Sequence, residues 1–211
     1  MTRLKTQLVQ PDVRVTPRAF GGLLTGLEAG PVLSWGLLDV VSLRLAPAAD
    51  FGPREQVATP EEHLKLVQVP TYGTVVLRNT STDDRLLVPA HVGFFQPGAQ
   101  NHATSRALVL EAGETLQVKD CFCIQAAQGG LLKEAVQRFL MLPLGLRAQA
   151  LAKRHTEGYS RLWGDIDGYT RHYGLATGGH LERVLRPTFG RLLPLRHAIE
   201  TVDGQVGAAY F

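Results

Sequence analysis

The densest group of chemically capable side chains in this 211-residue sequence is Gln100, Asn101, His102, Thr104, Ser105 and Arg106. Amides both donate and accept hydrogen bonds, an imidazole titrates near neutrality and a guanidinium is a fixed cation, so the group suits a small anionic or nucleotide-like ligand. The same residue types also cap their own backbone in polar hairpins and bulges, and that structural reading stands beside the binding one. Ser105 and His102 could work as nucleophile and base only if the backbone folded sharply between them, and no carboxylate is placed by sequence to orient the imidazole. The chain has no phosphate-binding glycine loop, no HExxH zinc motif and no GxSxG elbow, so an enzyme reading rests on scattered residues alone.

The elements around this group must be strands. Arg85 to Pro89 reads as a short strand ending at proline, Ala107 to Leu110 as a second, Glu111 to Glu114 as a tight turn, and Thr115 to Gln125 as a third. Strands so close together in sequence pair antiparallel, because parallel pairs need long crossovers. Upstream, Pro31 to Pro47 reads as one or two strands and Leu64 to Pro70 as another, and the polar Thr80 to Asp84 cluster as a hairpin turn joining Thr74–Leu77 to Arg85–Val88. After Gly129-Gly130 apolar residues recur at helical spacing over Leu131 to Leu140, and Leu146 to Ile166 is a second helix candidate weakened by Gly158 and Gly164. Leu175 to Leu185 is a third. The expected fold class is α+β: an antiparallel β-sandwich or barrel-like core over residues 1–130, a helical insertion over 131–198, and a closing β-hairpin over 199–211 that returns to the core within a single domain.

This order of motifs resembles a known family. The run LLVPA, then Gly98 and Gln100-Asn101, an apolar strand, a glycine turn at Gly113 and Cys123 closing the next strand is similar to the ARG-and-rhodanese-phosphatase-associated protein domain family. Val76 to Asn79 resembles that family's strand ending in Asn. Arg154 to Asp167, built around Trp163, resembles its helical stretch, and Ile199 to Phe211, with Asp203-Gly204 in the turn, resembles its closing hairpin. The resemblance covers most of residues 31–211 and implies a prokaryotic protein of stress or biological-conflict systems. The resemblance implies an Arg or similar residue after the Gln-Asn pair and a Glu after the closing Cys, whereas this chain has His102 and Gln125. If those positions are catalytic in relatives, the departures imply binding without turnover.

Composition sets outer limits. With 45% hydrophobic and 19% charged residues the chain can bury a sizeable core. Met1 to Pro11 lacks the apolar centre of a signal peptide and no run approaches the roughly 20 apolar residues that span a bilayer, so no membrane partner is expected and a cytoplasmic location is. Cys121 and Cys123 lie two apart in an expected strand, about 7 Å between Cα atoms, which predicts two reduced, metal-free thiols and no metal or cofactor held through them. Residues 131–200 hold 11 Lys/Arg against 6 Asp/Glu, while residues 1–130 hold 11 against 12. In the basic stretch Tyr169, Arg171 and Tyr173 offer rings and charge that suit weak nucleic-acid binding, although exposed helix residues look the same. Trp163 with Asp165 and Asp167 reads more simply as a core tryptophan on a helix.

The preferred reading is therefore a non-catalytic ligand- or partner-binding protein with Gln100, Asn101, His102, Ser105 and Arg106 at its site. A phosphate- or nucleotide-handling hydrolase, with His102 as acid or base, and a nucleic-acid-binding module are the alternatives.

Overall fold

A computed structural model describes residues 5–6, 26–35, 38–45, 57–96, 99–126, 130, 137–174, 180–185, 187 and 204–210. The chain divides into two compact units, one of residues 1–9 and 56–186 and the other of residues 10–55 and 187–211.

In the larger unit the strands are β1 (Lys5–Thr6), which comes first in the chain, β4 (Val57–Ala58), β5 (Leu64–Thr71), β6 (Thr74–Asn79), β7 (Arg85–Val88), β8 (Val92–Phe95), β9 (His102–Ala103), β10 (Leu108–Leu110), β11 (Thr115–Val118), β12 (Phe122–Cys123) and β13 (Arg138–Met141). They form three sheets, ordered β1-β11-β6-β5, β10-β7-β4 and β12-β9-β8-β13. Pairing is antiparallel except for β1 with β11 and β4 with β7. Alternation makes the strands: in β7 Leu86 and Val88 are buried while Arg85 and Leu87 are exposed, and in β10 Leu108 and Leu110 face inward. Residues from all three sheets share one apolar cluster, including Leu66, Leu77, Leu86, Phe94, Leu110 and Leu116. This is the sandwich-like core of an α+β fold.

A second cluster covers the other face of the sheet containing β8. Phe95 and Phe122 pack there with Leu146 and Ala150 of α2 (Leu144–Ala152), Ile166 of α3 (Trp163–His172) and Leu181. The short helix α1 (Pro60–His63) precedes β5. Residues 181–185 are also helical.

The smaller unit contains β2 (Leu27–Trp35), β3 (Leu38–Leu45) and β14 (Gln205–Tyr210), with β3 central and both pairings antiparallel. The C-terminal strand thus pairs with β3. Residues 199–203, the first arm of the expected closing hairpin, lie outside the described residues.

Four expectations about elements are corrected. The strand expected over Thr115 to Gln125 is two, β11 and β12, which break at residues 119–121 and belong to different sheets. Leu131 to Leu140 does not continue as a helix to its end: residues 131–136 lie outside the described residues, and Arg138–Met141 is a strand paired with β8. Both faces of this sheet are covered, with Phe139 packing on one cluster and Leu140 on the other, so consecutive apolar residues imitate a helical repeat. The Leu146 to Ile166 helix is broken by a turn-rich loop at residues 153–162, where Gly158 adopts φ 92°. The Thr80 to Asp84 turn is no hairpin. β6 pairs with β5 and β11, while β7 pairs with β10 and β4, so the turn carries the chain from one sheet to the next.

Asn79 explains that change of sheet. Its buried amide donates to the carbonyls of Asp84 at 2.8 Å, Glu111 at 3.1 Å and Leu110 at 3.3 Å, and its Oδ1 accepts the Ser81 N–H at 3.0 Å. Asn79→Ala strips donors from three carbonyls and is expected to cost about 2 kcal/mol, since each buried bond left unmade costs on the order of 1 kcal/mol or more. Urea unfolding checks this, and a loss under about 0.5 kcal/mol, the level of an ordinary surface change, would contradict it.

Candidate functional site

The residues singled out from the sequence come together, and most are interior. Gln100 and His102 have no exposed surface, and Asn101, Thr104 and Ser105 are also buried, leaving Arg106 half-buried. Gln100 Nε2 donates to the Gln125 carbonyl at 2.7 Å and to Cys123 Sγ. Asn101 Oδ1 accepts the Gln96 N–H at 2.9 Å, and its amide reaches Glu182 Oε2 at 3.3 Å. His102 Nε2 accepts the Gly73 N–H at 3.1 Å, which leaves Nδ1 as the protonated nitrogen, donating to the Gln100 carbonyl at 3.2 Å. Burial drives the His102 pKa down to about 4, so the ring is neutral at physiological pH. Ser105 Oγ donates to Asp120 Oδ2 at 2.6 Å, and Arg106 Nε lies 3.3 Å from the same oxygen.

Three of these contacts lead to a cleft of about 440 Å³. Its lining includes Tyr72 and Gly73 of the β5–β6 turn, Lys119, Asp120 and Cys121 before β12, and residues 154–159 with Arg161 from the α2–α3 loop. His102 grips the cleft through Gly73, and Ser105 with Arg106 through Asp120. The segments meet closely: Gly73 has φ 80°, and a Cβ there would stand 2.8 Å from Tyr159 Cβ, so a side chain at residue 73 would be both strained and obstructed.

The loop wall is held by Arg161. Its guanidinium donates to the carbonyls of Lys153 at 3.1 Å, Gly158 at 2.6 Å and Asp120 at 2.8 Å, and sits 4.0 Å over the Phe122 ring. The Tyr159 carbonyl accepts the Cys123 N–H at 2.7 Å and Trp163 Nε1 donates to the Cys123 carbonyl at 3.1 Å, which covers the outer edge of β12. Behind the loop, Lys153 pairs with Asp165. Lys119 is exposed, and Arg154, which lines the same cleft, is half-buried with its Nε donating to His155 Nε2 at 2.9 Å. Tyr72 and Tyr159 stand 5.6 Å apart between ring centroids, and Tyr159 meets Trp163 edge-on at 6.0 Å.

Cys121 and Cys123 are both free and buried, and desolvation raises both thiol pKa values. Tyr169 and Tyr173 contact each other at 5.0 Å, and burial lifts the Tyr169 pKa to about 12. Arg171 is exposed on α3 two residues from each, and side chains spaced by two do not share a helix face. Among the described residues, no helix is long and apolar enough to cross a membrane.

A family model described as the ARG and Rhodanese-Phosphatase-superfamily-associated Protein domain matches residues 30–211. The chain belongs to this family. No curated protein and no solved structure matches it. In this family member, several residues that carry the motif resemblance form one connected frame behind the cleft: Gln100 bonds Cys123, and Trp163 bonds the Cys123 carbonyl. The two departures from the pattern lie in the same frame, His102 against Gly73 and Gln125 with its Oε1 accepting the Asn101 N–H at 3.2 Å. Sequence reasoning missed Tyr72, Lys119, Arg154 and Arg161. Only Gly158, at the break in an otherwise helical run, signalled that a loop there needs its own purpose.

Proposed function

We propose that this family member is a non-catalytic protein that binds a small anionic ligand in the cleft between the Tyr72-Gly73 turn and the α2–α3 loop, and that it acts beside a partner protein in a prokaryotic stress or conflict response. The carrying observation is the cleft lining, where Lys119, Arg154 and Arg161 outnumber the carboxylates of Asp120 and Glu157; Asp120 is engaged by Ser105 and Arg106 and Arg161 by three backbone carbonyls, so Lys119 and Arg154 are the cations assigned to meet an anion. In this reading the Gln100 to Arg106 loop fixes the site from behind, His102 through Gly73 and Ser105 with Arg106 through Asp120. A binding role is favoured over hydrolysis because the His102 imidazole has both ring nitrogens committed to backbone groups and the Ser105 hydroxyl is buried against Asp120. The partner half of the reading rests on the family's name, which associates it with ARG and rhodanese-phosphatase-superfamily proteins.

Titration calorimetry with pyrophosphate is the test. One saturable site per chain is expected, weakening as salt rises and lost in the double variant Lys119→Ala, Arg154→Ala with the unfolding midpoint nearly unchanged. Absence of binding at low ionic strength would refute the reading. A single-stranded oligonucleotide binding where pyrophosphate does not would move the function to the α3 surface around Arg171 and Tyr173.

A further inference from the structure

The geometry points to a ligand that carries its anion on an aromatic ring: we propose that the cleft is a mononucleotide-type site, taking a nucleoside mono- or diphosphate with its base against Tyr72 and Tyr159 and its phosphate at Lys119 and Arg154. This rests on the anion-binding reading above and names the rest of the ligand.

Three features carry it. First, the cleft offers rings as well as charge, since Tyr72 and Tyr159 both line it, and Trp163 continues the aromatic row behind them. Any base presents a π face to such a surface, so stacking needs no sequence-specific hydrogen bonds. Second, the backbone that carries the rings is held before any ligand arrives. Tyr159 is tied through its carbonyl to Cys123, Trp163 through its indole to the same residue, and Tyr72 adjoins a glycine that His102 holds. Tyrosine has few rotatable bonds and Tyr159 already contacts Tyr72 and Trp163, so ordering these rings on a ligand costs little side-chain entropy. Third, the lining is not uniformly cationic. Glu157 and Thr156 also line the cleft. A carboxylate opposes a bare polyphosphate, but it accepts hydrogen bonds from sugar hydroxyls or an exocyclic amine. The volume, about 440 Å³, falls at the lower end of the roughly 300–1,000 Å³ range of small-molecule sites, which suits one nucleotide rather than a polymer.

Calorimetry on the full chain with adenosine diphosphate, pyrophosphate and adenosine decides the matter. Stacking contributes enough that the diphosphate of the nucleoside should bind at least about tenfold more tightly than pyrophosphate, with adenosine alone the weakest of the three. Tyr72→Leu should abolish the tenfold preference while pyrophosphate affinity stays within about twofold, and Tyr72→Phe should retain it, because the ring and not the hydroxyl is required. Equal affinity for pyrophosphate and adenosine diphosphate in the unmutated chain would overturn the aromatic half and leave the anion site standing. Failure of both to bind would overturn the anion site and this inference together.

Discussion

Replacing Arg161 by alanine is expected to cost about 3 kcal/mol of stability and to free the loop that walls the cleft. The guanidinium serves three backbone carbonyls from three different places in the chain, Lys153, Gly158 and Asp120, while its face lies on Phe122. Hydrogen bonds from a charged donor contribute roughly 1.5–3 kcal/mol each, but part of that returns as the loop carbonyls take up water. The stacking contact adds on the order of 1 kcal/mol. Arg161→Lys should recover less than half of the loss, because a single ammonium cannot span a fork of three acceptors. Urea titration measures the stability, and pyrophosphate binding by the folded variant measures the wall. A cost below about 1 kcal/mol would mean that the Tyr159 and Trp163 bonds to Cys123 hold the loop by themselves.

Acid should weaken the protein well above the range where carboxylates titrate, and His102 should be the main cause. Its pKa is about 4 when folded, against 6.5 for an ordinary histidine, because a protonated ring would be buried and would lose its role as acceptor for the Gly73 N–H. The unfolded chain therefore binds the proton first. Stability is fully present above pH 6.5 and falls as the pH drops toward 4, by roughly 2.5 kcal/mol at pH 4.5 for this one group. His91 and His180 are also shifted downward, chiefly by burial, and act in the same direction. His102→Gln isolates the contribution, since an amide oxygen offers the acceptor without the titration. The stability difference between pH 7 and pH 4.5 should shrink by about 2 kcal/mol in that variant. An unchanged difference would show that His102 is not the group responsible.

What could be read from the sequence divides along physical lines. β7, β10 and β11 were legible because each alternates over a half-exposed sheet face, and the helices of the α+β class were legible in the spacing within Leu146 to Ile166. β13 was not legible, since Phe139 and Leu140 are apolar on opposite faces of a sheet covered on both sides. Nor was the path from β6 to β7, because a polar turn looks alike whether it closes a hairpin or passes between sheets, and Asn79 decides the matter through partners up to 32 residues away. The Gln100 to Arg106 cluster announced itself by breaking an apolar pattern, which marks unusual hydrogen bonding but not on which side of the backbone a solute would sit. The cleft was hidden for a different reason. Residues 72–73, 119–121 and 154–161 are each of ordinary composition, and only the fold assembles them.

That assembly has a kinetic meaning. The β5–β6 hairpin forms from neighbouring residues, but the contact of Gly73 with Tyr159 closes a stretch of more than eighty residues, and the bonds of Tyr159 and Trp163 to Cys123 span about forty. If these closures form after the sheets, the cleft is nearly absent from the folding transition state, and a ligand should slow unfolding while leaving the folding rate unchanged in stopped-flow measurements; a faster folding rate with ligand would contradict this order. A cell that supplied the ligand would not help this chain to fold faster; it would lengthen the life of molecules that had already finished.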